Sequence, residues 1–285
     1  MGVVNALKRM MRDWAVSSPI PNNDSQVTPT PKPQERSVRD GGSVAPQYPG
    51  PPDYERWGLV VWGKNLSFMN EARFRSAYRR GMTSGHSYSW AGESDPDIGI
   101  EWNVHNCCWA AKYAASLPGD FVECGVSTGI LSLAVCEYID FNATGKSFWL
   151  FDTFCGIPEE QMNEYEKMVG RQIYNQWYPD CWERAKANFA PFPKARLVRG
   201  VVPHTLVDAP IDKVCYLLLD MNIVAPERAA IEFFWPKLVP GAIVILDDYA
   251  WRTHEEQLRA MDEFAAKQGV TILTLPTGQG IMIKC

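Results

Sequence analysis

The chain has 285 residues, 46% of them apolar, and a formal net charge of −5. That length suits one large α/β domain with an appendage. The acidic balance, without a long basic run, excludes electrostatic capture of nucleic acid, and no apolar run approaches the ~18 residues that span a bilayer.

Residues 4–15 are expected to form a short amphipathic helix, with Leu7, Met10, Met11 and Trp14 on one side and Lys8, Arg9 and Arg12 towards the other. Those charges sit where a signal peptide would be apolar, which points away from export and to the cytoplasm. Residues 17–54 contain nine of the 21 prolines among Ser, Thr, Asn and Gln. Such a stretch buries too little apolar surface to offset its ordering entropy. The expected organisation is therefore a helix and disordered tether over 1–55 and a folded domain over 56–285. None of the eight cysteines forms a CxxC pair and most lie in apolar segments, the pattern of reduced, packed thiols.

Helical spacing of Val104, Cys107, Cys108, Ala111, Ala114 and Ala115 predicts a helix over 103–117. An alternation of strands and helices follows. Strands are expected at Phe121–Glu123, Ser147–Phe151, Ala195–Val198, Val214–Leu219 and Ala242–Leu246. Helices are expected at Gly129–Tyr138, at Pro226–Leu238, and from a Thr253/Glu256 capping box through Lys267. Thr271–Leu275 and Ile281–Lys284 flank the turn Thr277-Gly278-Gln279-Gly280, which reads as a closing hairpin. Apolar strands separated by helices imply a doubly wound α/β fold, its seven-stranded sheet mostly parallel and ending in an antiparallel hairpin strand.

The turn after the first long strand reads Glu123-Cys124-Gly125-Val126-Ser127-Thr128-Gly129. Glycine permits close backbone approach to a ligand, and ligands of open α/β sheets sit beyond the strands' carboxyl ends. The pattern lacks the GxGxxG of dinucleotide binders. A carboxylate at this strand end repels pyrophosphate and attracts a cationic sulfonium ligand with its amino group. Asp152 ends the next strand, where a carboxylate suits a ribose diol. Glu123, Gly125, Ser127, Gly129, Asp152 and Thr153 are accordingly the candidate residues for binding S-adenosylmethionine.

Asp220 ends one apolar strand, and Asp247 and Asp248 end another. On strands ~4.8 Å apart, three carboxylates repel unless a cation compensates them. Oxygen-only ligands point to Mg²⁺ or a similar hard ion. Coordination lowers the pKa of a hydroxyl acceptor, and a nearby carboxylate takes the proton. Asp220 is the first candidate for that base, His254 the second and His204 the third.

Taken as a set, Glu123-Cys124-Gly125, Asp152-Thr153-Phe154 with Gly156-Ile157-Pro158, and Asp220 with Asp247-Asp248-Tyr249 resemble the macrocin O-methyltransferase family over roughly residues 100–285. The resemblance implies a Rossmann-like fold and Mg²⁺-dependent methylation of antibiotic sugars. It places Asp220, Asp247 and Asp248 on the metal, and Glu123, Gly125 and Asp152 at the cofactor. Many members carry a second acidic residue two positions after the first metal aspartate, where this chain has Asn222. The implied partner is a small-molecule hydroxyl acceptor, with homo-oligomerisation left open. Aromatics in 57–102 and 157–192 pack a lid onto the sheet or stack on an acceptor.

Three rivals share features of this pattern. A nicotinamide oxidoreductase would need the missing glycine fingerprint. A metal-dependent glycosyltransferase could use Asp220-Met221-Asn222 but has no need of Glu123 and Asp152. A non-catalytic module retaining the fold would not bind the cofactor.

Overall fold

The sheet is built around Val214–Leu219 (β6), six consecutive residues that are all buried. A strand without a single exposed position needs cover on both faces, and it receives it as an interior strand of a seven-stranded sheet. The computed structural model describes residues 50–88 and 96–285. The expected helix at 4–15, the proline-rich stretch as far as residue 49, and Trp90 lie outside the described residues.

The described chain opens with a small antiparallel pair, Tyr54–Arg56 (β1) and Leu59–Val61 (β2). Tyr54 is buried, and its one hydroxyl proton is shared between the Gly99 carbonyl at 3.0 Å and Glu101 at 2.8 Å. Ala72–Met82 (α1) and Glu101–Ala114 (α2) follow. Both vicinal cysteines of α2 are fully buried, as helical spacing requires. The sheet continues with Asp120–Cys124 (β3), Phe148–Asp152 (β4), Ala195–Arg199 (β5), β6, Leu238–Leu246 (β7), Leu273–Thr274 (β8) and Gly280–Ile283 (β9). Between them lie Ile130–Ile139 (α3), Glu164–Met168 (α4), Trp182–Phe189 (α5), Val224–Phe234 (α6) and Glu255–Gln268 (α7).

The strand order is β5-β4-β3-β6-β7-β9-β8. Strands β5, β4, β3, β6 and β7 are parallel, and β9 runs antiparallel to both β7 and β8. The connection through α3 moves one way from β3 to β4, and that through α6 moves the other way from β6 to β7. Right-handed crossovers in opposite directions place their helices on opposite faces. The switch point between β3 and β6 opens a crevice at their carboxyl ends.

Several boundaries differ from the sequence pattern. The helix expected to reach Leu238 stops at Phe234, and β7 begins at Leu238. Pro226 sits in the first turn of α6 rather than opening it. The capping box at Thr253 does not form. Residue 254 is the N-cap without a side-chain bond, and Thr253 adopts a left-handed backbone with φ +71°. Its amide donates instead to Glu255.

Candidate active site

Gly125 carries φ +94°, and a β-carbon there would lie 1.8 Å from the Asp220 carbonyl oxygen. Only glycine lets the β3 loop press against the end of β6, so the two strand ends share one cleft. Glu123, Gly125, Ser127, Asp152, Thr153 and Asp220 line it. Gly129 does not. It caps α3 at φ +98° and lies against the Phe189 ring, so its work is packing.

Asp152 reaches the cleft with its acceptors committed. Its Oδ2 accepts the amides of Val126 at 2.5 Å and Ser127 at 2.7 Å. Its Oδ1 accepts the Phe154 amide at 2.5 Å, with the Thr153 hydroxyl, which donates to the Gly156 carbonyl at 2.6 Å, lying 3.3 Å away. A carboxylate offers about four lone-pair sites, so a ribose diol would compete with the loops for this side chain. Glu123 contrasts with it. It is buried, and Oε2 has no hydrogen-bond partner among the described residues. Burial pushes its pKa well above the ordinary carboxylate range, with the Ser132 hydroxyl opposing and the Asp152 and Asp247 charges adding. A ligand bringing a positive group would relieve that cost.

Beside this cleft, one carboxylate oxygen from each of Asp220, Asp247 and Asp248 lies within 4.8 Å of the others. Burial first, then the two neighbouring charges, raises Asp220 well above the carboxylate range. Burial and then Asp248 lift Asp247 to about 7. Burial lifts Asp248 to about 6 against the opposing charge of Arg171. Asp248 Oδ2 is buried without a hydrogen-bond partner among the described residues. Crowded hard oxygens, one of them unsatisfied, are a donor set suited to a divalent cation. Asn222 lines the neighbouring cleft at φ +64°.

Gln279 and Glu227, which sequence patterning missed, and two aromatics from the expected lid segments stand around these acids. The Gln279 amide donates to Asp247 Oδ1 at 2.7 Å while its oxygen accepts from Asn106 at 2.8 Å. Glu227, lifted to about 8 by burial and then by Asp248, accepts the Met221 amide at 3.0 Å. Tyr88 and Tyr178 line the cleft, with hydroxyls 3.1 Å apart. Gln279 left its sign inside the Thr-Gly-Gln-Gly turn, which read as mere punctuation, whereas Glu227 left none.

The histidines do not qualify as proton acceptors. Arg171 is buried, and its Nη1 lies 2.7 Å from His254 Nε2. Arginine only donates, so Nε2 accepts and the proton sits on Nδ1, which donates to Gln257 at 2.5 Å. Burial, then Arg171, lowers the His254 pKa to about 3. His254 therefore fixes Arg171 near Asp248, whose Oδ2 is 3.8 Å from Nδ1. His204 is exposed and lines neither the cleft nor the acidic cluster.

The raised acids set a pH dependence. A carboxyl with a raised native pKa stabilises the fold below its unfolded value, near 4, and that contribution is lost as pH rises through the native value. His254 acts oppositely, but only below its ordinary 6.5. With Asp247 at about 7 and Glu227 at about 8, the chelator-treated protein should melt at lower temperature at pH 8.5 than at pH 6.5. Mg²⁺ should narrow the gap. A melting temperature that climbs over this window would remove the buried-acid account.

The family model described as macrocin-O-methyltransferase (TylF) matches residues 102–274. The 8-demethyl-8-(2,3-dimethoxy-alpha-L-rhamnosyl)-tetracenomycin-C 4'-O-methyltransferase of Streptomyces olivaceus is 29% identical over 150 residues, covering 50% of this chain and 58% of that protein. The chain thus spans little more than half the length of that relative. Demethyldecarbamoylnovobiocin O-methyltransferase of Streptomyces niveus is 27% identical over 203 residues, covering 67% of this chain and 75% of its own. The solved structure of the O-methyltransferase NovP superposes with a TM-score of 0.59 at 24% identity, over 66% of this chain and 81% of that one. It shares the fold.

Proposed function

Because this chain belongs to the macrocin O-methyltransferase family, we propose that it transfers a methyl group from S-adenosylmethionine to a hydroxyl of a small molecule, in the class of natural-product sugars, with Mg²⁺ or a similar divalent cation. One observation carries this reading. Acids from four strand ends gather along one rim, Glu123 and Asp152 on the cleft, Asp247 and Asp248 beside it, and Asp220 on both. The relatives' names supply the acceptor class, each naming an O-methylation of a natural product.

When bound, the cofactor supplies an electrophilic methyl group and the cation lowers the pKa of the acceptor hydroxyl. The chain's own residues do the rest. Glu123 would offer its carboxylate to the cofactor's cationic groups, and Asp152 holds the 126–127 loop that would cradle it. Asp220, Asp247 and Asp248 would hold the cation, with Gln279 fixing the orientation of Asp247. A carboxylate oxygen of Asp220 would accept the acceptor's proton as the new C–O bond forms and the methyl–sulfur bond breaks, S-adenosylhomocysteine being the leaving group. Eight thiols without a disulfide favour a reducing, cytoplasmic setting. No described helix is long and apolar enough to cross a membrane.

The test is calorimetric titration with S-adenosylmethionine and, in parallel, a nicotinamide dinucleotide. Saturable binding of the first alone is expected, and Mg²⁺-stimulated methyl transfer to a glycosylated natural product completes the case. Binding of the dinucleotide alone would end the reading.

Loading is expected to move the walls as well. The cleft holds about 90 Å³, room for a few waters at about 30 Å³ each, whereas ligand sites span about 300–1,000 Å³. Its outer wall is the insertion between β4 and β5, through Phe154, Ile157, Gln161 and Tyr178. S-adenosylhomocysteine should therefore slow amide exchange across residues 154–181 and the 125–130 loop. Equal exchange with and without ligand would place the cofactor elsewhere.

A further inference from the structure

A second cavity of about 770 Å³ adjoins the cofactor cleft and shares Ser127, Pro179 and Cys181 with it. Its lining holds two acids and two arginines, and among the described residues only the acids are ion-paired. The lining acids are already paired, Asp180 with Arg199 at 2.8 Å and Glu183 with Lys186 at 2.7 Å. The lining arginines, Arg80 and Arg184, have no carboxylate within 4.0 Å among the described residues. Both gather at one place. Arg80 Nη2 donates to the Asn188 carbonyl at 2.9 Å, and Asn188 donates in turn to the carbonyls of Ser84 and Thr128 at 2.8 Å. The Arg184 guanidinium lies over Gly85, where a β-carbon would stand 3.1 Å from Nη1 and where φ is +80°. Glycine there lets the guanidinium lie flat against the backbone.

We propose that this cavity receives a phosphate group carried by the acceptor, so that the methylated hydroxyl belongs to a sugar held on a phosphate ester. The inference rests on the methyltransferase reading of the adjoining cleft. Two unpaired guanidiniums suit phosphate, which accepts parallel hydrogen bonds from each fork. The volume suits a ligand of nucleotide-sugar size. The shared wall lets one molecule present its hydroxyl to the cofactor cleft while its phosphate stays here.

The test is titration of the S-adenosylhomocysteine-loaded protein with UDP-glucose, glucose 1-phosphate, inorganic phosphate and methyl α-glucoside. At least one phosphorylated sugar should bind, and the neutral glucoside should not. UDP-glucose alone assigns a nucleotide-linked acceptor, and glucose 1-phosphate as well assigns a sugar phosphate. Arg184→Glu, at an exposed position, should weaken the phosphorylated probe by about tenfold or more, with Arg184→Lys in between. S-adenosylhomocysteine affinity should stay within about twofold. Binding of inorganic phosphate alone, equal binding of the glucoside, or no binding of any sugar probe overturns the proposal and leaves the methyltransferase reading intact. Loss of S-adenosylhomocysteine affinity in Arg184→Glu would give the cavity to the cofactor's own carboxylate and also overturn it. A wild-type protein that fails to bind S-adenosylhomocysteine would remove the reading beneath.

Discussion

Asp220→Asn should lower methyl transfer by about 10³-fold while leaving S-adenosylhomocysteine affinity nearly unchanged. The size follows from two roles at one carboxylate. A general base contributes about 10²–10⁴-fold, and the same side chain is one of three acids within 4.8 Å proposed to hold the cation. Asparagine keeps the shape and removes the charge and the proton acceptor. Asp248→Asn separates the roles. It lies in the cluster but is not among the residues lining the cleft, so its loss should be recovered in part by excess Mg²⁺. Asp220→Asn should resist such rescue. Comparable rescue of both variants would reduce Asp220 to a ligand, and full activity in either would dissolve the proposed site.

Asp152→Ala should weaken S-adenosylmethionine binding about tenfold to a hundredfold and lower the melting temperature of the ligand-free protein as well. The second effect distinguishes the structure from the simplest sequence expectation. A carboxylate placed only for ribose would leave the free protein unmoved when removed. Here the side chain accepts three backbone amides, from Val126, Ser127 and Phe154. Hydrogen bonds to a charged group are worth about 1.5–3 kcal/mol each, and a tenfold affinity change corresponds to about 1.4 kcal/mol. Losing the clamp unties the β3 loop from the β4 loop. Asp152→Asn should fall between, because its NH₂ group would confront at least one amide donor. Unchanged melting together with weaker cofactor binding would restore the ribose role.

The strand-end acids were legible because each closes an apolar run, and in an open α/β sheet such residues face the crevice. Asp220 after Val214–Leu219 is the plainest case. The parallel sheet and its reversed final strand followed from the same runs and from one short turn. The supporting shell was not legible. Arg171 and His254 meet across 83 positions and Asn106 and Gln279 across 173, and neither pair belongs to a periodic pattern. His254 was a reasonable proton acceptor on composition. Only the donor aimed at its Nε2 shows that its lone pair is occupied. The Thr253/Glu256 capping box failed for a related reason, because a loop anchored to Arg171 through the Thr253 carbonyl at 2.7 Å enters α7 with its own geometry.

Strand β9 lies between β7 and β8, although both precede it in the chain. The sheet therefore cannot close beyond β7 until residues 280–283 have left the ribosome. Gln279, which steadies Asp247, arrives in the same step. Co-translational folding would stall with apolar β7 bare along one edge, a surface open to wrong pairing. The proposed cation site gains its Gln279 contact only in that step, and a chain truncated before residue 279 is expected to hold Mg²⁺ more weakly than the full chain.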